Sequence, residues 1–430
     1  MRTRRLVAVA SAAVMTIAVV AGCAPSSSSG SDGASGDKVT LSVWSWRTED
    51  AEGYRKIFDK FEAKHPNITV EFKPFKNTEY GTVLATALSG SDGPDLAQLH
   101  AYQAVTDLAD AKKLTPLTDA DVPSLHEAFS KDDLDAVRGT DGQVYAVPVA
   151  TQTLQVIYNK KIFSDNGLTA PTTWPELIAL SDTLTAKKIV PFAMTGKDDW
   201  MLPVTFEIFG GTRYGGIPFQ EGIAKGQKKL TDPDFVAALE VMPSLKKYFP
   251  NNLSAVSYTD SQLLFTTGKA AMFPGGLWEL GYFKQQNPAL DMGVLSLPAP
   301  PGSPTQQPLI YGFLDGGYAL AAKSEHPEEA KKLLAWMATP EFGNAFMDTL
   351  LQMSPVKGVQ PSDPLLAQIA KDYSANPAKM LFSTTLGRGN PTSNSVLSGG
   401  LQRMLMGKES APAVAASVQR SVDQWFKPSN

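Results

Sequence analysis

Val39-Thr40-Leu41-Ser42-Val43-Trp44 alternates apolar and polar residues, and the pattern then changes period. Tyr54, Ile57, Phe58 and Phe61 recur at helical spacing, after Thr48 or Glu49 as a helix opener and before His65-Pro66 as its close. Ile68, Val70 and Phe72 return to alternation. Tyr80, Val83, Leu84, Ala87 and Leu88 are helical again. Gly90-Ser91-Asp92-Gly93-Pro94 reads as a turn, and Asp95 to Leu99 as a short apolar strand. The order β-α-β-α-β predicts the start of a parallel sheet with right-handed crossovers, hence an α/β fold.

That layout carries an expectation about binding. In open α/β sheets, ligands lie beyond the carboxyl ends of the strands. Here those ends are Ser45-Trp46-Arg47-Thr48-Glu49 and His100-Ala101-Tyr102-Gln103. Asp95 lies at the opposite end of its strand and is read as structural.

Further along, Tyr145–Val149 and Leu154–Lys160 are predicted as two strands. A helix is expected through Leu177, Leu180 and Leu184, with Val190–Ala193 as a strand after it. Helices are also expected near Glu328–Ala338, Leu401–Met406 and Ala413–Phe426, with Pro412 suited to the first position of the last.

The N-terminal segment has a different character. Met1-Arg2-Thr3-Arg4-Arg5 is basic, Leu6 to Val20 is apolar, and Val20-Ala21-Gly22-Cys23 follows. This is the anatomy of a secretory signal over residues 1–22. The alternative, a membrane anchor, needs a run of about 20 apolar residues. Cys23 is the one cysteine of the chain, and its setting resembles a bacterial lipobox, which implies lipidation at Cys23. Residues 23–38 are otherwise Ser, Gly, Asp, Ala and Pro with a closing Lys, the composition of a flexible tether. Arg4-Arg5 leaves the choice between general and twin-arginine export open.

About 390 residues follow the tether, enough for two or three domains. A composition 43% hydrophobic and 19% charged suits a soluble body with a sizeable core. The formal net charge of -4 gives no basic surplus for nucleic acid. With no cysteine after Cys23, the body has no disulfides, thiol nucleophiles or thiolate metal sites.

Several segments together resemble the extracellular sugar-binding proteins of bacterial ABC importers, the group that includes maltose-binding protein. They are Trp44-Ser45-Trp46, Gly90 to Leu96, and Val147-Pro148-Val149 leading to Ile157-Tyr158-Asn159-Lys160. The most distinctive is Phe265 to Met272 followed by Gly275-Gly276-Leu277-Trp278-Glu279, continued by Asp315 to Leu320 and Ala330 to Met337. Thr195 to Leu253 matches little beyond general layout. The resemblance implies two α/β lobes joined by a hinge of crossing strands: 39–149 plus 303–355, and 150–302 plus 356–430. It implies a monomer with no cofactor, which closes on a carbohydrate and presents it to permease subunits driven by a cytoplasmic ATPase.

A sugar needs aromatic rings for its C–H face and charged or amide groups for its hydroxyls. The candidate ligand residues are Trp46, Arg47, Glu49, His100, Tyr102, Gln152, Asp199, Trp200, Gly276, Trp278, Glu279, Asp315 and Arg388. Gly276 enters as one of a pair that would let backbone approach a ligand. Trp44, Trp336 and Trp425 are expected in the core. The enzymatic rival is a glycoside hydrolase, which needs two flanking carboxylates. No nucleophile elbow, phosphate loop or zinc-protease motif is present, and His65, His100, His126 and His326 lack metal-ligand spacing. Other solutes, namely metal, phosphate, peptide or polyamine, fit the Trp-rich loops less well, and a purely adhesive role gives no reason for them.

Overall fold

A computed structural model describes residues 38–428, within one compact unit that begins at Lys38. The signal segment 1–22, Cys23 and the tether up to Asp37 lie outside the described residues. No helix among the described residues is long and apolar enough to cross a membrane.

Among the described residues, nine strands form one sheet: β1 (Val39–Ser45), β2 (Ile68–Pro74), β3 (Leu96–His100), β4 (Val147–Asn159), β5 (Val190–Phe192), β6 (Ala270–Gly276), β7 (Met292–Leu295), β8 (Ile310–Leu320) and β9 (Pro377–Lys379). The order is β2-β1-β3-β8-β4-β6-β5, with β7 on β4 and β9 on β8. The opening β-α-β-α-β is as expected, and β1 pairs in parallel with both β2 and β3. β8 then joins antiparallel to β3, so the sheet is mixed. The helix Ala51–Glu62 buries Tyr54, Ile57, Phe58 and Phe61 on one face, the four residues whose spacing predicted it. Each contributes roughly 1.5–3 kcal/mol by leaving water. Asp95 is structural: its carboxylate accepts from Ser42 N at 2.9 Å and Ser324 Oγ at 2.6 Å.

Two sequence expectations differ in detail. The two strands expected at 145–149 and 154–160 are one long strand, β4. Thr151-Gln152-Thr153 interrupts the apolar run, but register shifts between Pro148, Ala150 and Thr151 keep β4 paired with β8 throughout. The helix expected at Leu401–Met406 starts earlier and runs Ser393–Leu405, because Thr392 caps it by accepting from Ser395 N.

The hydrophobic interior is in two parts. One core gathers residues from Leu41 to Ala150, then Leu314 to Leu350, with Val356. The other runs from Leu154 to Tyr311 and from Leu366 to Val422, with Met347 and Met353. The chain therefore passes between the cores three times: in β4 between Ala150 and Leu154, in β8 between Tyr311 and Leu314, and after Leu350. The third passage is stitched to the first by Thr151 N donating to Met353 O at 2.9 Å. Thr195 to Leu253, unassigned from sequence, supplies the helices Met201–Tyr214 and Pro233–Ser244 of the second core. Trp336 is buried in the first core as expected, whereas Trp44 and Trp425 are only partly buried at the edges of theirs.

Candidate functional site at the boundary of the lobes

The C-terminal ends of β1 and β3, the middle of β4 and the turn after β6 meet where the two cores face each other. From β1 come Trp46 and Arg47. Ser45 turns the chain by accepting from Arg47 N at 2.9 Å, and its own hydroxyl donates to Gln98 Oε1 at 2.5 Å. Trp46 is 3% exposed, and the His100 ring from the end of β3 covers one of its faces, 3.8 Å between centroids. His100 is half exposed and reaches Asn77 Oδ1 at 3.3 Å and Asp315 Oδ1 at 3.5 Å.

Arg47 is buried. Its Nε donates to Asp50 Oδ2 at 2.7 Å, and its Nη2 reaches across to the Trp278 carbonyl at 3.3 Å. Burial opposes its charge, but Asp50 with Glu49 and Asp315 outweighs it and holds the guanidinium more firmly protonated than usual. Asp50 Oδ2 also accepts from Gln352 Nε2 at 2.8 Å. Gln352 Oε1 accepts from Gln152 Nε2 at 2.8 Å, and the same nitrogen lies 3.4 Å from Asp315 Oδ2. A continuous polar chain thus runs His100–Asp315–Gln152–Gln352–Asp50–Arg47 and ends on the second lobe. Gln152 is fully buried, and its Oε1 has no partner. An orphaned acceptor of this kind costs about 1–3 kcal/mol until a donor arrives.

The second lobe supplies an aromatic wall. Trp278 is 6% exposed, and its six-membered ring lies directly on Gly276, where a Cβ would come within 1.9 Å of it. The close backbone approach at Gly276 is therefore to Trp278. The indole Nε1 donates to Tyr258 Oη at 2.8 Å and Glu279 Oε1 at 3.0 Å. Tyr258 Oη also donates to Glu279, whose other oxygen accepts from Gln262 Nε2 at 2.9 Å. Glu279 is fully buried among these partners, so it orients Trp278 and presents no free oxygen to the cleft. Burial, with Glu49 and Asp50 nearby, holds its carboxyl well above the usual range against the opposing charge of Arg47. Trp200 stands edge-on to Tyr258 at 4.9 Å.

The remaining expected residues are placed as follows. Glu49 is partly buried, within electrostatic reach of Arg47 and Glu279. Tyr102 is partly buried at φ 65°, ψ -112°, a strained backbone held by its N–H on Ala136 O at 2.6 Å. Burial raises its hydroxyl above the ordinary tyrosine range, with Asp132, Asp133 and Tyr373 nearby. Asp199 is partly buried, but its neighbour Asp198 makes the contact to the aromatic wall, accepting from Tyr258 N at 2.6 Å. Arg388 is not brought to this cluster. Its carbonyl accepts from Ser393 N at 3.0 Å, while its guanidinium stays in solvent with no side-chain bond among the described residues. The loop is held through its backbone, with Gly389 against Trp425.

Sequence reading missed Asp50, Gln352 and Tyr258. Asp50 and Tyr258 had local signals, an acidic residue at a helix start and Ser257 as an N-cap, but Gln352 had none. No group of three or more His, Cys, Asp or Glu among the described residues could hold a metal ion.

Two cores, three crossings and a boundary of aromatic and hydrogen-bonding groups from both sides define a hinged, two-lobed binding protein. A family model described as bacterial extracellular solute-binding protein matches residues 44–343, and the chain belongs to that family. An ABC transporter extracellular-binding protein of Pyrococcus horikoshii is 28% identical over 365 residues, 82% of this chain and 80% of its own. The multiple sugar-binding protein of Streptococcus mutans is 27% identical over 333 residues, 75% and 77% of the two chains. Among solved structures, a chitin oligosaccharide binding protein superposes with a TM-score of 0.74 at 24% identity, over 90% of this chain and 99% of its own.

Proposed function

We propose that the protein captures a carbohydrate outside the cell and delivers it to the permease of an ABC importer, without chemical change to the solute. The observation that carries this reading is the make-up of the lobe boundary. Trp46 and Trp278 come from opposite lobes, with Trp200 and Tyr258 beside the second, and between them lie the Asp315 carboxylate and Gln152, whose Oε1 is an unpartnered acceptor. Such a surface suits hydroxyls and C–H faces together. The sugar-binding names of relatives that cover most of both chains support it.

The finer assignments belong to the same proposal. The lobe boundaries fall where the chain changes core, inside β4, inside β8 and in the segment after Leu350, so that 303–311, expected in the first lobe from sequence, goes with the second. The ligand residues are those expected from sequence, except that Arg388 is set aside, Glu279 is given an orienting role and Gly276 serves to seat Trp278. Residues 1–22 direct export, a lipid on Cys23 holds the protein at the outer face of the membrane, and it acts as a monomer.

Calorimetric titration with mono- and oligosaccharides tests the central claim. Saturable one-site binding with the sugar recovered intact is expected. No binding across the panel points to another solute. Cleavage of an oligosaccharide makes the protein a hydrolase.

A further inference from the structure

One amide meets all three passages between the lobes. Gln152 sits in the first passage, on β4; Asp315 borders the second, on β8; Gln352 opens the third. Gln152 Nε2 serves both of the others, at 2.8 Å to Gln352 Oε1 and 3.4 Å to Asp315 Oδ2. Gln352 Nε2 passes the chain on to Asp50, and Asp50 holds Arg47. Chemistry fixes the direction of both amides. A carboxylate oxygen accepts, so each glutamine turns its NH₂ toward an aspartate, Gln352 to Asp50 and Gln152 to Asp315, and Gln352 then offers its oxygen to Gln152.

The links between lobes are unequal. Lys379 to Asp132, at 3.0 Å, and Gln285 to Glu52, at 2.9 Å, join exposed side chains, where water and salt leave little net energy. Arg47 to the Trp278 carbonyl is buried, and it joins opposite walls. Groups at the hinge move little when lobes separate, so the glutamine pair can persist while the Arg47 link must break.

We propose that Gln352 is a positioning residue for solute retention. It shares the Asp50 oxygen that receives Arg47, and so aims the guanidinium at the Trp278 carbonyl, the latch of the closed form. Gln352 is 2% exposed and acts without being offered to the solute. The inference rests on the reading of the protein as a solute receptor.

The test compares the wild-type chain with Gln352→Met, Arg47→Lys and the double variant, each checked for folding by circular dichroism. In stopped-flow binding with a sugar from the titration panel, Gln352→Met is expected to bind at an unchanged rate and release about tenfold faster, the scale of one buried hydrogen bond to a charge. The double variant should be no worse than Arg47→Lys alone, because both changes disable one latch. Small-angle scattering of the free protein gives an arm that needs no ligand: the Gln352→Met chain should be less compact than wild type. Additive losses, or unchanged release with identical scattering, overturn the proposal. A wild type that binds no sugar removes the carbohydrate reading, while the scattering comparison still decides the role of Gln352. If Gln352→Met fails to fold, Gln352→Glu takes its place. It keeps the acceptor for Gln152 but loses the donor to Asp50, and release as slow as wild type would likewise overturn the assignment.

Discussion

Trp278 is held by an unusually complete set of neighbours, and that makes it a good place to probe. Gly276→Ala would drive a methyl into its ring, so the ring must leave its seat. We expect loss of most solute affinity with a folded chain, measured by calorimetry, and a comparable loss for Trp278→Ala. Trp425→Phe, at the far edge of the second core, should change affinity little. A second prediction concerns Glu207, fully buried in the helix Met201–Tyr214. It accepts from Tyr214 Oη at 2.6 Å and Leu381 N at 2.9 Å, and burial pushes its carboxyl up to about 8. In the unfolded chain it titrates near 4.5. Between those values the unfolded state gives up the proton first, so the stability this group contributes is full below about 4.5 and is lost as pH rises to about 8. Glu207→Gln should therefore raise the melting temperature relative to wild type at pH 8 and not at pH 4.5. An equal shift at both would contradict the buried, neutral carboxyl.

Among the elements, local chemistry and tertiary pairing contribute differently. The helix Trp174–Ala186 begins with a capping box, in which the Thr173 side chain accepts from Glu176 N and Glu176 reaches back to the Thr173 N–H. Thr173→Ala should cost about 1 kcal/mol in a denaturant titration and leave solute affinity unchanged, since the cap is exposed and remote from the cleft. Caps and periods of this kind are what a sequence displays. They made β1 to β3, their helices and the helix at Leu177–Leu184 legible, along with the aromatic residues that follow β1 and β6. β4 was harder, because Thr151-Gln152-Thr153 reads as a break between strands. Those polar residues are where the strand leaves one core for the other, and β8 supplies the pairing that keeps it continuous. Gln352 and Asp50 meet only after three distant segments converge, so no spacing rule finds them. Arg388 lies in a polar loop just before the helix Ser393–Leu405, with its backbone carbonyl on Ser393 N and its side chain exposed, a placement that no sequence spacing indicates.

For the molecule as a whole, the division into two cores sets what binding does to stability. A solute that touches both walls binds the closed native state alone and adds about 2.7 kcal/mol at a hundredfold excess over its dissociation constant. Calorimetric scans with rising solute should show a single transition moving upward and the lobes melting together. A shift confined to one of two transitions would place the solute on a single lobe.

The three crossings also bear on how the chain is made. The first core draws on residues 41–150 and then waits for 314–356, while the second begins inside that interval and finishes with Val422. Neither lobe is a continuous piece of polypeptide. A chain emerging N-terminus first cannot seal its first lobe until most of its length has appeared, and it carries an incomplete apolar surface throughout. The second core in turn stays slack until the helix Ala411–Asp423, which brings Val414, Val418 and Val422 to it, has emerged and docked.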